Sequence, residues 1–66
     1  MRVNPKNLSY IKIYYYDYEP YTCYDVNCYE YRGNCIEIAY LNGSIELIFL
    51  DSKKVKRVEF HHRISL

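Results

Sequence analysis

The sequence predicts a small all-β fold, a single domain built as an antiparallel meander of about five strands, barrel-like or half of a symmetric dimer, with little or no helix. Three observations predict it. Asn42-Gly43 stands between two alternating apolar stretches, and Asn-Gly in that setting is the strongest short-range hairpin signal. Residues 8–16, LSYIKIYYY, alternate with a period of two, and so do residues 55–62, VKRVEFHH, while no apolar spacing of helical period recurs.

Residues 1–7 alternate poorly and contain Asn4-Pro5, so they read as a short lead-in. The first strand is expected from Leu8 to Tyr16, with Ile11, Ile13 and Tyr15 on one side and Tyr10, Lys12, Tyr14 and Tyr16 on the other. Both sides are at least half apolar. Such a strand sits between two layers, or turns its tyrosines toward a second subunit, because an open face of Tyr rings is a large exposed patch. Pro20 has no amide to donate and marks a turn or an edge; a short strand over Tyr21–Tyr24 and a turn through Asp25 and Asn27 follow.

In residues 28–35, CYEYRGNC, Gly33 marks a turn with two possible loops. A Gly33-Asn34 loop sets Glu30 opposite Glu37, a like-charge pair that costs stability, whereas Arg32-Gly33 sets Glu30 opposite Cys35. Either loop puts Tyr29 and Tyr31 on the face of Ile36 and Ile38. For the next hairpin, a two-residue type I′ loop at Asn42-Gly43 pairs Leu41 with Ser44. Ile36, Ile38 and Tyr40 then share a core face with Ile45, Leu47 and Phe49. Glu37, Ala39, Glu46, Ile48 and Leu50 fall on the reverse face, which with the basic strand beside it is the expected working surface. After a polar turn over residues 51–54, Val58 and Phe60 face inward, and the charged alternate positions suit an edge strand. The tail, residues 61–66, is either frayed or docked through Ile64 and Leu66.

A chain of 66 residues makes one domain with a marginal core, which disulfides, a metal or oligomerisation must supplement. Ten tyrosines provide more apolar ring surface than one small core can hide, and tyrosine is enriched at interfaces, so homo-oligomerisation is the expected supplement. Tyr, Ile, Asn and Lys fill 27 positions, the bias of an AT-rich coding sequence. The net charge of +1 selects no partner, but its distribution is uneven. Asp17, Glu19, Asp25 and Glu30 occupy a span without a basic residue, and Lys53, Lys54, Lys56, Arg57 and Arg63 crowd the C-terminal end. MRVNPKNLSY has no apolar run of signal-peptide length and no stretch reaches the length of a spanning helix, so a cytoplasmic protein with no membrane partner is expected. Cys23, Cys28 and Cys35 are odd in number, and reduced thiols are the expectation in that compartment.

These residues suit different chemistries unequally. Zinc would draw on Cys23, Cys28, Cys35, His61 and His62, yet four and six residues separate the cysteines instead of a tight knuckle, and adjacent histidines on a strand point to opposite faces. No metal and no cofactor is therefore expected. Nucleophilic catalysis lacks a glycine-rich elbow or a recognisable motif, and Glu37 and Glu46 read as a solvated face, so no enzyme is expected. Binding of single-stranded nucleic acid has lysines for phosphates and tyrosines for stacking, but the acidic span opposes it.

A nucleotide-like anion held between subunits by Arg57, Lys56 or His61 with a stacked Tyr is the stronger alternative. The leading expectation is docking on another protein, through the Tyr-rich side of the first strand or the acidic segment around Asp17, Glu19 and Asp25. The binding residues expected for a partner or ligand are Tyr14, Tyr16, Tyr18, Lys56, Arg57 and His61. In its compact sheet, absent catalytic motif and AT-rich usage, the chain resembles the small accessory proteins of low-GC bacterial viruses. That resemblance implies an inhibitor acting on a host protein or a sink for a signal nucleotide.

Overall fold

A computed structural model describes residues 2–3 and 8–62 of the chain, with side chains from residue 8. The described residues form seven strands: β1 (Arg2–Val3), β2 (Leu8–Tyr15), β3 (Tyr21–Tyr24), β4 (Val26–Tyr31), β5 (Cys35–Tyr40), β6 (Ile45–Phe49) and β7 (Val55–His62). They make two antiparallel sheets, one ordered β1-β4-β5-β6 and the other β3-β2-β7. The all-β expectation holds. The chain is a meander only through β4, β5 and β6, because β7 returns across the molecule to pair with β2. The tail side chains Ile64 and Leu66, Arg63 and the Asn4-Pro5 lead-in lie outside the described residues.

Alternation builds the core as expected in β2, where Ile11 and Ile13 are fully buried. Opposite them lie Ile36 and Ile38 of β5, with Leu8, Cys23, Val26 and Ile48 completing the buried cluster. Val58 and Phe60 of β7 pack against it from opposite Ile13 and Ile11. Between β3 and β4 the chain passes from one sheet to the other across a single residue, Asp25, at φ 57°, a left-handed conformation that a short polar side chain tolerates. Its carbonyl accepts the Leu41 amide at 2.8 Å, so the corner is tied to the end of the β5–β6 hairpin. The expected turn through Asp25 and Asn27 is thus replaced by a corner at Asp25 and a bulge between Val26 and Cys28.

Two turns were placed differently from the lowest-cost reading of the sequence. Between β4 and β5 the loop is Gly33-Asn34, with Gly33 at φ 81°, and Glu30 does face Glu37. The repulsion is relieved because the Arg32 guanidinium sits 3.1 Å from Glu30 and 3.3 Å from Glu37, one cation shared by both carboxylates. Between β5 and β6 the loop has three residues, not two. Tyr40 pairs with Ser44, the Gly43 amide bonds back to the Tyr40 carbonyl at 3.0 Å, and only Gly43 takes positive φ, at 91°. This is the geometry of a three-residue hairpin closed by a glycine bulge, and the Asn42 side chain supports it by accepting the Ser44 amide at 2.9 Å.

The extra loop residue moves the register by one and turns β6 over. Ile36 faces Ile48 and Ile38 faces Glu46, so the expected core partners Ile45, Leu47 and Phe49 point outward instead. They are 61%, 52% and 67% exposed, whereas Ile48 is 7% exposed.

Candidate functional site

Three places on the two sheets gather side chains that could bind. The first is the outward face of the β3-β2-β7 sheet. Pairing of β2 with β7 sets Tyr10 beside His61, Lys12 beside Glu59 and Tyr14 beside Arg57, and pairing with β3 adds Tyr24 next to Tyr10. Of the six binding residues expected from sequence, Tyr14, Arg57 and His61 therefore meet. The Arg57 guanidinium lies 4.0 Å from the centre of the Tyr14 ring, and the His61 ring stacks on Tyr10 at 4.4 Å.

The other three stand apart. Lys56 is exposed at the irregularity where the β2–β7 register shifts, Tyr16 is exposed beyond the end of β2, and Tyr18 packs edge-on against Tyr15 at 6.4 Å. Sequence reasoning left out Tyr24 and Glu59, and put Tyr10 and Lys12 on this face without counting them as binding residues. Strand parity could have found Glu59, since it shares the side of Arg57 and His61.

Glu59 decides what this face can do. Its carboxylate receives the Arg57 Nε at 2.9 Å, the Tyr14 hydroxyl at 3.0 Å and lies 2.8 Å from His61 Nε2. His61 first and Arg57 second hold its pKa down at about 2. An ionised carboxylate thus occupies the middle of the cationic group, and an anion arriving there would have to displace it.

The second place is a clasp between the sheets. Tyr21 of β3 donates its hydroxyl to Glu46 Oε2 at 2.9 Å, and the Tyr40 hydroxyl of β5 donates to Glu46 Oε1. Both phenols are pushed above their ordinary range, Tyr21 chiefly by its bond to Glu46 and Tyr40 chiefly by burial. Cys23, buried behind them, has its thiol pushed up by burial. An open cleft of about 510 Å³ lies between β3 and the β5–β6 hairpin, with Tyr21, Tyr40 and Glu46 in its wall.

The third place is β6 itself. It is the last strand of its sheet, and its outward row is Ile45, Leu47 and Phe49. The Tyr40 amide bonds the Ser44 carbonyl and the Leu50 amide bonds the Asn34 carbonyl, both at 2.8 Å, so the even-numbered residues of this strand spend their backbone groups on β5. By the alternation of an antiparallel ladder, the amides and carbonyls of Ile45, Leu47 and Phe49 point to the open edge. Among the described residues nothing pairs with that edge. Sequence reasoning placed these three side chains in the core and so excluded them from any site.

Cys23, Cys28 and Cys35 are all buried and not bridged to one another. Among the described residues no three His, Cys, Asp or Glu side chains gather to hold a metal ion, and no helix is long and apolar enough to cross a membrane. Fold and surfaces together define a small two-sheet β protein with an apolar edge strand that no described residue pairs. No protein-family model, curated protein or solved structure matches the chain.

Proposed function

We propose that this chain is a non-enzymatic binding protein that assembles by strand pairing at β6, with a second copy of itself as the occupant of that edge. The observation that carries the reading is the Ile45, Leu47, Phe49 row, more than half exposed on an edge whose backbone groups point outward. Of the devices that blunt exposed edges, β6 carries no lysine, proline or bulge, and its one inward charge, Glu46, is bonded within the protein to Tyr21 and Tyr40.

The edge is also self-complementary. Laid antiparallel about Leu47, two β6 strands pair Leu47 with Leu47 of the partner and Ile45 with its Phe49, each pair exchanging two backbone bonds. Stacking of whole faces suits the surface less well. Glu37 stands beside Leu47 with Arg32 on its carboxylate, and a covering layer would desolvate that ion pair.

A dimer of this kind carries the Tyr10, Tyr14, Arg57, His61 face outward on both protomers. We read that face as the surface for a further protein partner, since Tyr and Arg dominate binding hot spots while Glu59 opposes a nucleotide-like anion. The protein then acts by occupancy, as an inhibitor or accessory protein does. Turnover has little support, because the Cys23 thiol is pushed up, the opposite of activation.

The test is light scattering with a symmetric cross-link. The protein should be a dimer, and Leu47→Lys, at a side chain that the monomer leaves half exposed, should be a folded monomer. Under oxidation Leu47→Cys should bridge to its own copy, since paired Cα atoms there lie about 5.5 Å apart, while Ser44→Cys should not. A wild-type chain that stays monomeric at millimolar concentration refutes the pairing.

A further inference from the structure

Every glutamate on a described strand has a cation beside it except one. Glu30 and Glu37 share Arg32, and Glu59 has Arg57. Glu46 has two phenolic hydroxyls and, among the described residues, no cationic partner. Neutral donors fix the position of a carboxylate without cancelling its charge, and a carboxylate offers about four acceptor sites, of which the two tyrosines use two. The charge is not hidden either. Glu46 lies in the wall of the open cleft between β3 and the β5–β6 hairpin, with Tyr21, Tyr24, Tyr40, Asn42 and Ser44 around it and no Lys, Arg or His.

We propose that this cleft binds a small organic cation, a primary or quaternary ammonium group, with the Glu46 carboxylate as counter-ion and the rings of Tyr21 and Tyr40 as walls. Aromatic rings attract ammonium groups through their negative faces, and one carboxylate among them supplies the net charge. A bare divalent metal is a poorer match, since calcium needs six or more oxygen ligands and magnesium a near-octahedral set. The volume, about 510 Å³, suits a small molecule. The raised pKa of Tyr21 keeps that wall neutral, so Glu46 remains the charged group in it. This site goes beyond the strand-pairing reading and does not depend on it.

The experiment is an amide NMR titration of the whole chain with choline, with n-butylammonium, and with 3,3-dimethyl-1-butanol, the uncharged counterpart of choline. One of the two cations should give saturable shifts confined to Thr22, Ser44, Ile45, Glu46 and their neighbours, and the alcohol should bind at least about tenfold more weakly than choline if choline is the tighter cation. Whichever cation binds tighter identifies the ammonium class. Glu46→Gln should lose about tenfold or more for either. Because Glu46 also ties β3 to β6, Tyr21→Phe is the second variant. It removes one tie but keeps the ring and the charge, and it should retain cation binding within about threefold. Leu47→Lys, which disrupts the proposed dimer, should bind the cation as wild type does. The inference is overturned if neither cation saturates, if choline and the alcohol bind alike where choline is the tighter cation, if Glu46→Gln binds as wild type, or if Tyr21→Phe abolishes binding.

Discussion

Replacing Ile48 and Leu47 by alanine, one at a time, tests the β6 register on which both proposals depend. Ile48 is 7% exposed and faces the fully buried Ile36, so truncation removes core contacts and leaves a cavity. Ile→Ala in a core costs about 2–5 kcal/mol, and an edge strand that can settle inward puts the expected loss near the low end, about 2–3 kcal/mol. Leu47 is 52% exposed on the opposite face, and its truncation should cost about 0.5 kcal/mol or less in the monomer.

Those losses are measurable against a total of about 3–10 kcal/mol expected for a chain of this length. At about 4–8 °C per kcal/mol, Ile48→Ala should lower Tm by about 10–20 °C while Leu47→Ala lowers it by only a few degrees. Urea and thermal unfolding followed by circular dichroism at two protein concentrations provide the assay. Concentration separates folding from pairing, because only the association part of the Leu47 effect depends on it. A Leu47→Ala loss equal to or larger than that of Ile48→Ala, and independent of concentration, would refute the three-residue loop and restore the two-residue one.

Two further outcomes follow from the charges. Arg32→Ala leaves Glu30 facing Glu37 without their shared cation and should cost about 0.5–1 kcal/mol, most of it recovered in Arg32→Ala with Glu37→Gln; a double-mutant cycle with no coupling would count against the shared bridge. Tyr40 is held un-ionised by burial, by Cys23 and by Glu46, so above pH 10.0 the unfolded chain releases a proton that the folded chain retains. Stability should therefore fall as pH rises through that value, by about 1.4 kcal/mol per pH unit for this phenol, and Tyr40→Phe should remove that share of the slope. An identical alkaline slope in the variant would show that Tyr40 is not protected.

Where alternation was one-sided, the sequence was enough. Ile11 and Ile13 face inward and Lys12 outward, the isoleucine side of β2 being more aliphatic than the tyrosine side, and Val58 and Phe60 are read the same way against charged neighbours. The short β3 and both glycine turns were legible from Pro20, Gly33 and Gly43. β6 was not, because Ile45, Leu47 and Phe49 alternate with Ile48 and Leu50, so either face could have been the core. The choice is made by contacts distant in sequence. Turned inward, Glu46 reaches the hydroxyl of Tyr21 on the other sheet and that of Tyr40, and Ile48 closes on Ile36; turned outward it would lose both hydroxyls.

The Glu30–Glu37 pairing, which the two like charges alone disfavour, is set by a near neighbour instead, the Arg32 bridge that stabilises it. The sequence by itself determined that this is a two-faced antiparallel β protein, where β2, β3, β5, β6 and β7 lie and which of its turns need glycine, but not β1, which falls in the expected lead-in, nor the start of β4, which falls in the expected turn. Only the tertiary structure decided which face of β6 is buried, because period-two alternation carries no preference between two apolar faces, and a hydrogen-bonded carboxylate between the sheets does.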